Sequence, residues 1–259
     1  MSAMIGFICL NLWAASLDHP QEHEGWSIEK ISLNMPVAEG KTIEIHNPYG
    51  DVRARGGQDR TAAVSAMIQY RIGDAHKMTF QTEESEQKLV LRVVYAGPVE
   101  DTIKAGGKRR ADVTIFVPPG CPYAVRTHKG LIEVKGVKDA VDLESFSGNI
   151  FFRNEGHARA KTHQGKITAI FIKPVWEETA VLESVIGDIS LQLPQDANVT
   201  VHAQTAGILA TDYSITIKKD THQIKHGQTV IGEGTYRMEV LSKTGQIQIL
   251  EGKWDLDRD

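Results

Sequence analysis

The sequence predicts an all-β chain: a right-handed single-domain β-solenoid with coils of about 20 residues and an irregular N-terminal β cap. Three observations carry that expectation. Past residue 26 no stretch keeps a helical period over three turns. Apolar residues instead alternate in short runs rich in Val, Ile, Thr and Phe, such as "TIEIH", "KLVLRVVY", "DVTIFV" and "QIQIL". Finally, one corner recurs along the chain with the same residue types in the same frame.

The N-terminal run "AMIGFICLNLWAA", residues 3–15, is shorter than the about 20 apolar residues a spanning helix needs. It matches the apolar core of a secretory signal, with Ala14, Ala15 and Ser16 as small residues at a cleavage point. Residues 1–16 are therefore assigned to a signal peptide whose positive n-region is missing, and the protein is expected to be exported to the periplasm or cell surface. Residues 17–39 form a lead-in, 40–250 a single repeat domain and 251–259 a polar tail.

Residues 27–120 hold one corner, at Gly50, followed by longer strands with acidic or Gly-rich connections. They are expected to supply the opening coils and a wider sheet that covers one end of the stack. The regular part then begins. "VRTHKGLIEV" (125–134), "LESFSGNIFF" (143–152), "AKTHQGKITA" (160–169) and "LESVIGDISL" (182–191) superpose without gaps. "IHNPYGDVRA" (45–54) and "VLSKTGQIQI" (240–249) fit the same frame, and "VHAQTAGILAT" (201–211) fits with its turn one residue shorter. The corner glycines are Gly50, Gly130, Gly148, Gly165, Gly187, Gly207 and Gly245.

Each template position has a physical reason. Side chains two and four residues after the glycine share one face of a strand, so Ile132, Ile150, Ile167, Ile189, Leu209 and Ile247 are expected to form one aliphatic ladder. A Ser, Thr or Asn three before the glycine can bond a backbone N–H within the turn. Glycine supplies a positive φ where the chain changes direction. Equal residues at equal positions follow if successive coils stack in parallel and touch. An antiparallel β-sandwich or meander, with each corner a hairpin turn, is the alternative.

These motifs resemble the bacterial "putative adhesin" family, whose members share an early N-x-x-G-x-V/I corner, a V-x-V-P-x-G strand end and repeated T/S-x-x-G-x-I units. Here they read "NPYGDV" (47–52), "IFVPPG" (115–120), "THKGLI", "SFSGNI", "THQGKI" and "SVIGDI", over roughly residues 40–250. The resemblance implies a β-solenoid-like fold, export or surface association and no catalysis. It supplies no functional residues to transfer.

Composition narrows the function classes. Apolar content of 41% and charged content of 24% are ordinary for a folded domain. Net charge is −4, from 29 basic against 33 acidic residues, which gives no chain-wide attraction to nucleic acid or anionic lipid. The basic trio Lys108, Arg109 and Arg110 beside Gly106 and Gly107 lacks P-loop spacing and is expected to be solvated. Cys9 falls in the leader, which leaves Cys121 as an expected half-buried structural thiol.

Glu144 and Glu183 share the position four before the glycine, with Lys161 between them, an alternation suited to charge pairs between coils. Glu133, Asn149, Lys166, Asp188 and Ile208 are too mixed in type to form a shared site. His128 and His163 share the position two before the glycine but sit two coils apart, roughly 10 Å, with Phe146 between. His222 and His226 lie about 13 Å apart along a strand. His19 would become the third residue after cleavage at Ser16, a copper-binding placement.

No catalytic, cofactor or metal residue is assigned, and no cofactor. The expected role is non-enzymatic: an exported, adhesin-like binding or scaffolding module of the cell envelope. The expected partner is an envelope, surface or carbohydrate ligand; nucleic acid and a stable membrane span are not expected. A carbohydrate-active enzyme on the same scaffold and a self-associating structural protein, paired through open strand edges, are the alternatives.

Overall fold

The structure, a computed structural model, describes residues 16–17, 21–23, 25–74, 78–95 and 109–252. Among them all regular elements are strands. Short β1 (Ser16–Leu17) and β2 (Gln21–His23) precede long β3 (Trp26–Pro36), and the first corner joins β4 (Thr42–Tyr49) to β5 (Val52–Gly56). Next come β6 (Thr61–Arg71), β7 (Met78–Glu84), β8 (Lys88–Tyr95) and β9 (Arg109–Val117). Four corner units follow in succession: β10 (Tyr123–Lys129) with β11 (Ile132–Val137), then β12 (Val141–Ser147) with β13 (Ile150–Asn154). The third and fourth are β14 (Ala158–Gln164) with β15 (Ile167–Phe171), and β16 (Ala180–Ile186) with β17 (Ile189–Pro194). The unit of β18 (Val199–Thr205) and β19 (Leu209–Thr211), a hairpin of β20 (Thr216–Lys219) and β21 (Lys225–Ile231), and the unit of β22 (Tyr236–Ser242) and β23 (Ile247–Gly252) complete the chain.

Every corner passes the chain from one sheet to the other. The first sheet runs β1-β3-β6-β9-β5-β11-β13-β15-β17-β23-β19, with β2 also on β3; the second runs β20-β21-β18-β22-β16-β14-β12-β10-β4-β8-β7. Corner strands pair in parallel in both sheets, with Thr127 opposite Ser145 and Ile132 opposite Ile150. Antiparallel strands finish the ends: β3 and β6 in the first sheet, β7, β20 and β21 in the second.

A stack whose coils follow chain order throughout is not what this order describes. The protein is two large, open, mixed sheets facing each other over one core, which agrees with the sandwich alternative in its layers and departs from a meander in its parallel corners. Two departures break the coil sequence. Strands β6 to β9 intervene between the first unit and the second along the chain. The β22–β23 unit also inserts between β16–β17 and β18–β19. Strand β18 is thus flanked by β22 on one side and by antiparallel β21 on the other, which leaves the hairpin at the sheet edge.

The aliphatic ladder forms with that one change of order: Val52, Ile132, Ile150, Ile167, Ile189, Ile247 and Leu209 are successive partners. All but Leu209 are buried, and full burial of such a side chain is worth about 1.5–3 kcal/mol. Beneath it, Phe152 meets Phe171 edge to face at 5.4 Å and Phe171 meets Trp176 at 5.1 Å.

The corner itself works differently from the expectation. Positive φ occurs at Gly50, Gly130, Gly165 and Gly187 but is absent from Gly148, Gly207 and Gly245. What all seven share is contact with a neighbouring carbonyl: a Cβ on Gly148 would lie 1.9 Å from the Gly130 oxygen, and one on Gly165 2.1 Å from that of Gly148. In four units the template hydroxyl, three before the glycine or two before it at Thr205, serves the same oxygens. Thr162 donates to the Gly148 carbonyl (3.1 Å), Ser184 to Gly165 (3.0 Å), Ser242 to Gly187 (2.9 Å) and Thr205 to Gly245 (2.6 Å). The expected bond from a turn N–H appears only at Ser242, from Gly245, and at Thr205, from Gly207. A hydroxyl both donates and accepts, and here donation to the neighbouring unit dominates.

These contacts predict that Gly148→Ala costs about 2–4 kcal/mol, because backbone must move. Gly40→Ala, at φ +77° with open space around it, should cost only about 1–2 kcal/mol. Urea unfolding of the two variants measures the difference.

Candidate functional site

Outward-facing residues of the second sheet line up in rows, because parallel neighbours in register place equal template positions side by side. Four residues before each glycine the row reads His46, Arg126, Glu144, Lys161 and Glu183. Two before the glycine stand Pro48, His128, Phe146, His163 and Val185. Between these rows lies a shallow groove of about 400 Å³.

The second row is aromatic at its centre. His128 stacks on Phe146 with centroids 4.8 Å apart and planes 13° from parallel, and Phe146 stacks on His163 at 4.9 Å and 7°. Phe146 is 48% exposed, so this stack is surface and not core. Both faces of the Phe146 ring are covered by imidazoles, which leaves its edge at the surface. The sequence placed Phe146 between these two histidines; the structure adds that all three rings are stacked.

Ion pairs organise the first row. Arg126 reaches Asp142 at 2.6 Å and Glu144 at 3.4 Å, while Lys161 meets Glu183 at 2.5 Å. The alternation noted in the sequence thus does produce pairs between units. At the row's end His46 contacts Glu44 through Nε2 (2.7 Å) and Arg92 through Nδ1 (3.1 Å). A guanidinium only donates, so Nδ1 accepts and the proton sits on Nε2, which donates to Glu44. Burial alone would raise the Glu44 carboxyl, but hydrogen bonds from Lys88 and His46 outweigh it and hold the group below its ordinary value of 4.5.

Other residues singled out in the sequence lie away from this groove. Arg109 is buried and bonds Asp74 at 2.6 and 2.7 Å, and Arg110 pairs with Asp112 and Asp51, so the basic trio's two described members are held by carboxylates and not solvated. Cys121 is fully buried, with Sγ 3.6 Å from the Ala38 carbonyl, and burial pushes its thiol up. His226 pairs with Asp220 at 3.2 Å, and the His222 N–H donates to the same carboxylate. Cys9, His19 and Lys108 lie outside the described residues, as do residues 1–15 of the leader assigned to 1–16.

One set of contacts escaped the sequence reading, which named Asn149 and Asp188 but found no role for them. Asp51, Asn149 and Asp188, each directly after a corner glycine, accept the N–H of Leu131, Lys166 and Gln246 in the neighbouring unit at 2.8–3.0 Å. Their signal was an Asx in every second unit from Gly50 to Gly187, visible in chain order as Asp51, Asn149 and Asp188 with Leu131 and Lys166 between. They stitch corners together and leave the groove to the two rows above.

No family model matches the chain, and no curated protein matches it. Among solved structures, a "putative cell adhesion protein" from Clostridium sporogenes is similar at 12% identity and a TM-score of 0.46, over 90% of this chain and 100% of its own. A "putative adhesin" from Bacteroides fragilis is similar at 12% identity and a TM-score of 0.29, over 86% of this chain and 97% of its own. Likeness of that size transfers no function. Among the described residues no helix is long and apolar enough to cross a membrane.

The Glu44 environment has a consequence for stability. A carboxylate held below its unfolded value stabilises the fold above about pH 4.5, and that contribution disappears as pH falls through the folded-state value. Glu44→Gln should therefore be less stable than the wild type at pH 7, with the gap closing toward pH 3. Urea unfolding at both pH values measures it.

Proposed function

We propose that this chain is a non-enzymatic, exported module of the cell envelope that binds an extended ligand, a carbohydrate chain, along the groove of its second sheet. The observation that carries this reading is the exposed His128–Phe146–His163 stack, placed along a row of alternating charges. The stacked corner units serve as a ruler, since each adds one side chain to each row at about 4.8 Å. Solenoid-like stacking of the units is part of this proposal, as are the signal at 1–16 and the repeat domain at 40–250.

The chemistry favours a polyhydroxylated chain. Imidazole edges and half-exposed Arg126, Lys161, Glu144 and Glu183 offer donors and acceptors in alternation, matching hydroxyls that do both. The side chains of Glu144 and Glu183 are each held by a cation, and the unit between them carries Lys161. Neither arrangement supplies the facing acid and base that glycoside hydrolysis needs.

Calorimetric titration with β-1,4-linked oligosaccharides of increasing length tests the reading. Affinity should rise with length until the chain spans the three stacked rings, and Phe146→Ala should weaken it about tenfold. Absence of binding at any length, or appearance of shortened products, would overturn it.

A further inference from the structure

The groove lies on the outer face of the second sheet, and the outer face of the first sheet carries a row of its own. Positions three and five after a corner glycine alternate with the buried positions two and four, so they point away from the core. At the fifth position Lys135 stands directly opposite Arg55 on one side and Arg153 on the other. The three cations are therefore in line on adjacent strands, about 4.8 Å apart. Beyond Arg55 the line continues with Phe116, which is 49% exposed, and beyond Arg153 with Ile170 and Gln192.

Like charges side by side across strands oppose folding. The scaffold does not require them, since later units carry Ile170, Gln192 and Leu250 at the same position. Nor does Glu133 neutralise them fully. It bonds Arg55 and lies 3.4 Å from Lys135, so one carboxylate serves two cations and this group keeps a net positive charge. Lys135 is exposed, with its Nζ 5.2 Å from the centre of the Phe151 ring, a contact that holds the ammonium over the sheet. Directly after it the register with β13 shifts and Gly136 takes φ +69°, a local irregularity of the kind that re-aims a neighbouring side chain. Nearby Arg53 and Arg110 are held by Asp51 and Asp112 and add nothing to the row.

We propose that this row binds an anionic polysaccharide laid across β5, β11 and β13, with its carboxylates on Arg55, Lys135 and Arg153 and a sugar ring against Phe116. Guanidinium forks match carboxylates, and the half-exposed phenyl offers the ring an apolar surface. A line of cations suits a linear polyanion. A flat anionic bilayer would call for cations spread over the face, whereas Thr168, Ile170, Gln192, Gln248 and Leu250, outward on β15, β17 and β23, are uncharged. A phosphate backbone calls for a wider basic footprint than three cations on a chain of net charge −4. The row and the groove face opposite ways, so this site does not depend on what the groove binds.

Calorimetric titration of the full chain with hexagalacturonate at low ionic strength tests this. Binding should weaken as salt screens the row. The double variant Lys135→Gln with Arg153→Gln should lose about tenfold in affinity, and Ile170→Lys, which adds a fourth cation to the line, should gain about threefold. Phe146→Ala, in the groove, should leave this titration unchanged, which separates the two faces. Circular dichroism establishes that each variant is folded. Absence of binding, or an affinity unmoved by the double variant, would overturn the proposal. So would tighter binding of oligo-dT or of phosphatidylglycerol vesicles than of the uronate.

Discussion

Everything in this protein hangs on one contact: a corner glycine whose α-carbon rests against the carbonyl oxygen of the glycine in the neighbouring unit. No side chain fits there. The contact recurs from Gly50 through Gly130, Gly148, Gly165 and Gly187 to Gly245 and Gly207, and it sets the lateral position of each unit on the last. Once corners are aligned, strands on both sides fall into parallel register. Register in turn puts isoleucine on isoleucine inside and row upon row outside. The same carbonyls collect hydroxyl donors from Thr162, Ser184, Ser242 and Thr205, so one oxygen fixes both the sterics and the polarity of the joint.

This arrangement separates the work of folding from the work of recognition. Positions pointing inward or into the corner hold glycine, Ser, Thr or Asn, and aliphatic or aromatic side chains. Positions two and four before the glycine point outward and are free to vary, and there the chain carries His128, Phe146 and His163 beside alternating charges. A surface built this way can change its chemistry without disturbing its scaffold.

Much of the fold was legible because residues that touch their own kind leave a periodic trace. The aliphatic ladder and the glycine column were both visible as repeats. The order of the last units was not, since the corners at Gly207 and Gly245 obey the same template and nothing local says which stacks on β17. The partner of the template hydroxyl was misassigned because a hydroxyl can serve either role. In the groove, the template already placed Phe146 between His128 and His163, but that the three rings stack face to face depends on register and rotamers that no local pattern encodes. The Arg109–Asp74 pair joins residues far apart in sequence through a fold that no local pattern encodes.

Amide hydrogen exchange at the corner glycines tests the central claim most directly. The N–H groups of Gly50, Gly148 and Gly165 donate to the Lys129, Gln164 and Ile186 carbonyls of adjacent units at 2.9 Å. Turn amides ordinarily exchange fast, but these should be protected as strongly as the strand centres of β12 and β14 and open only with global unfolding. If they exchange as quickly as the amide of Gln223 in the edge hairpin while the strand centres stay protected, the corners do not hold the units together and the account is wrong.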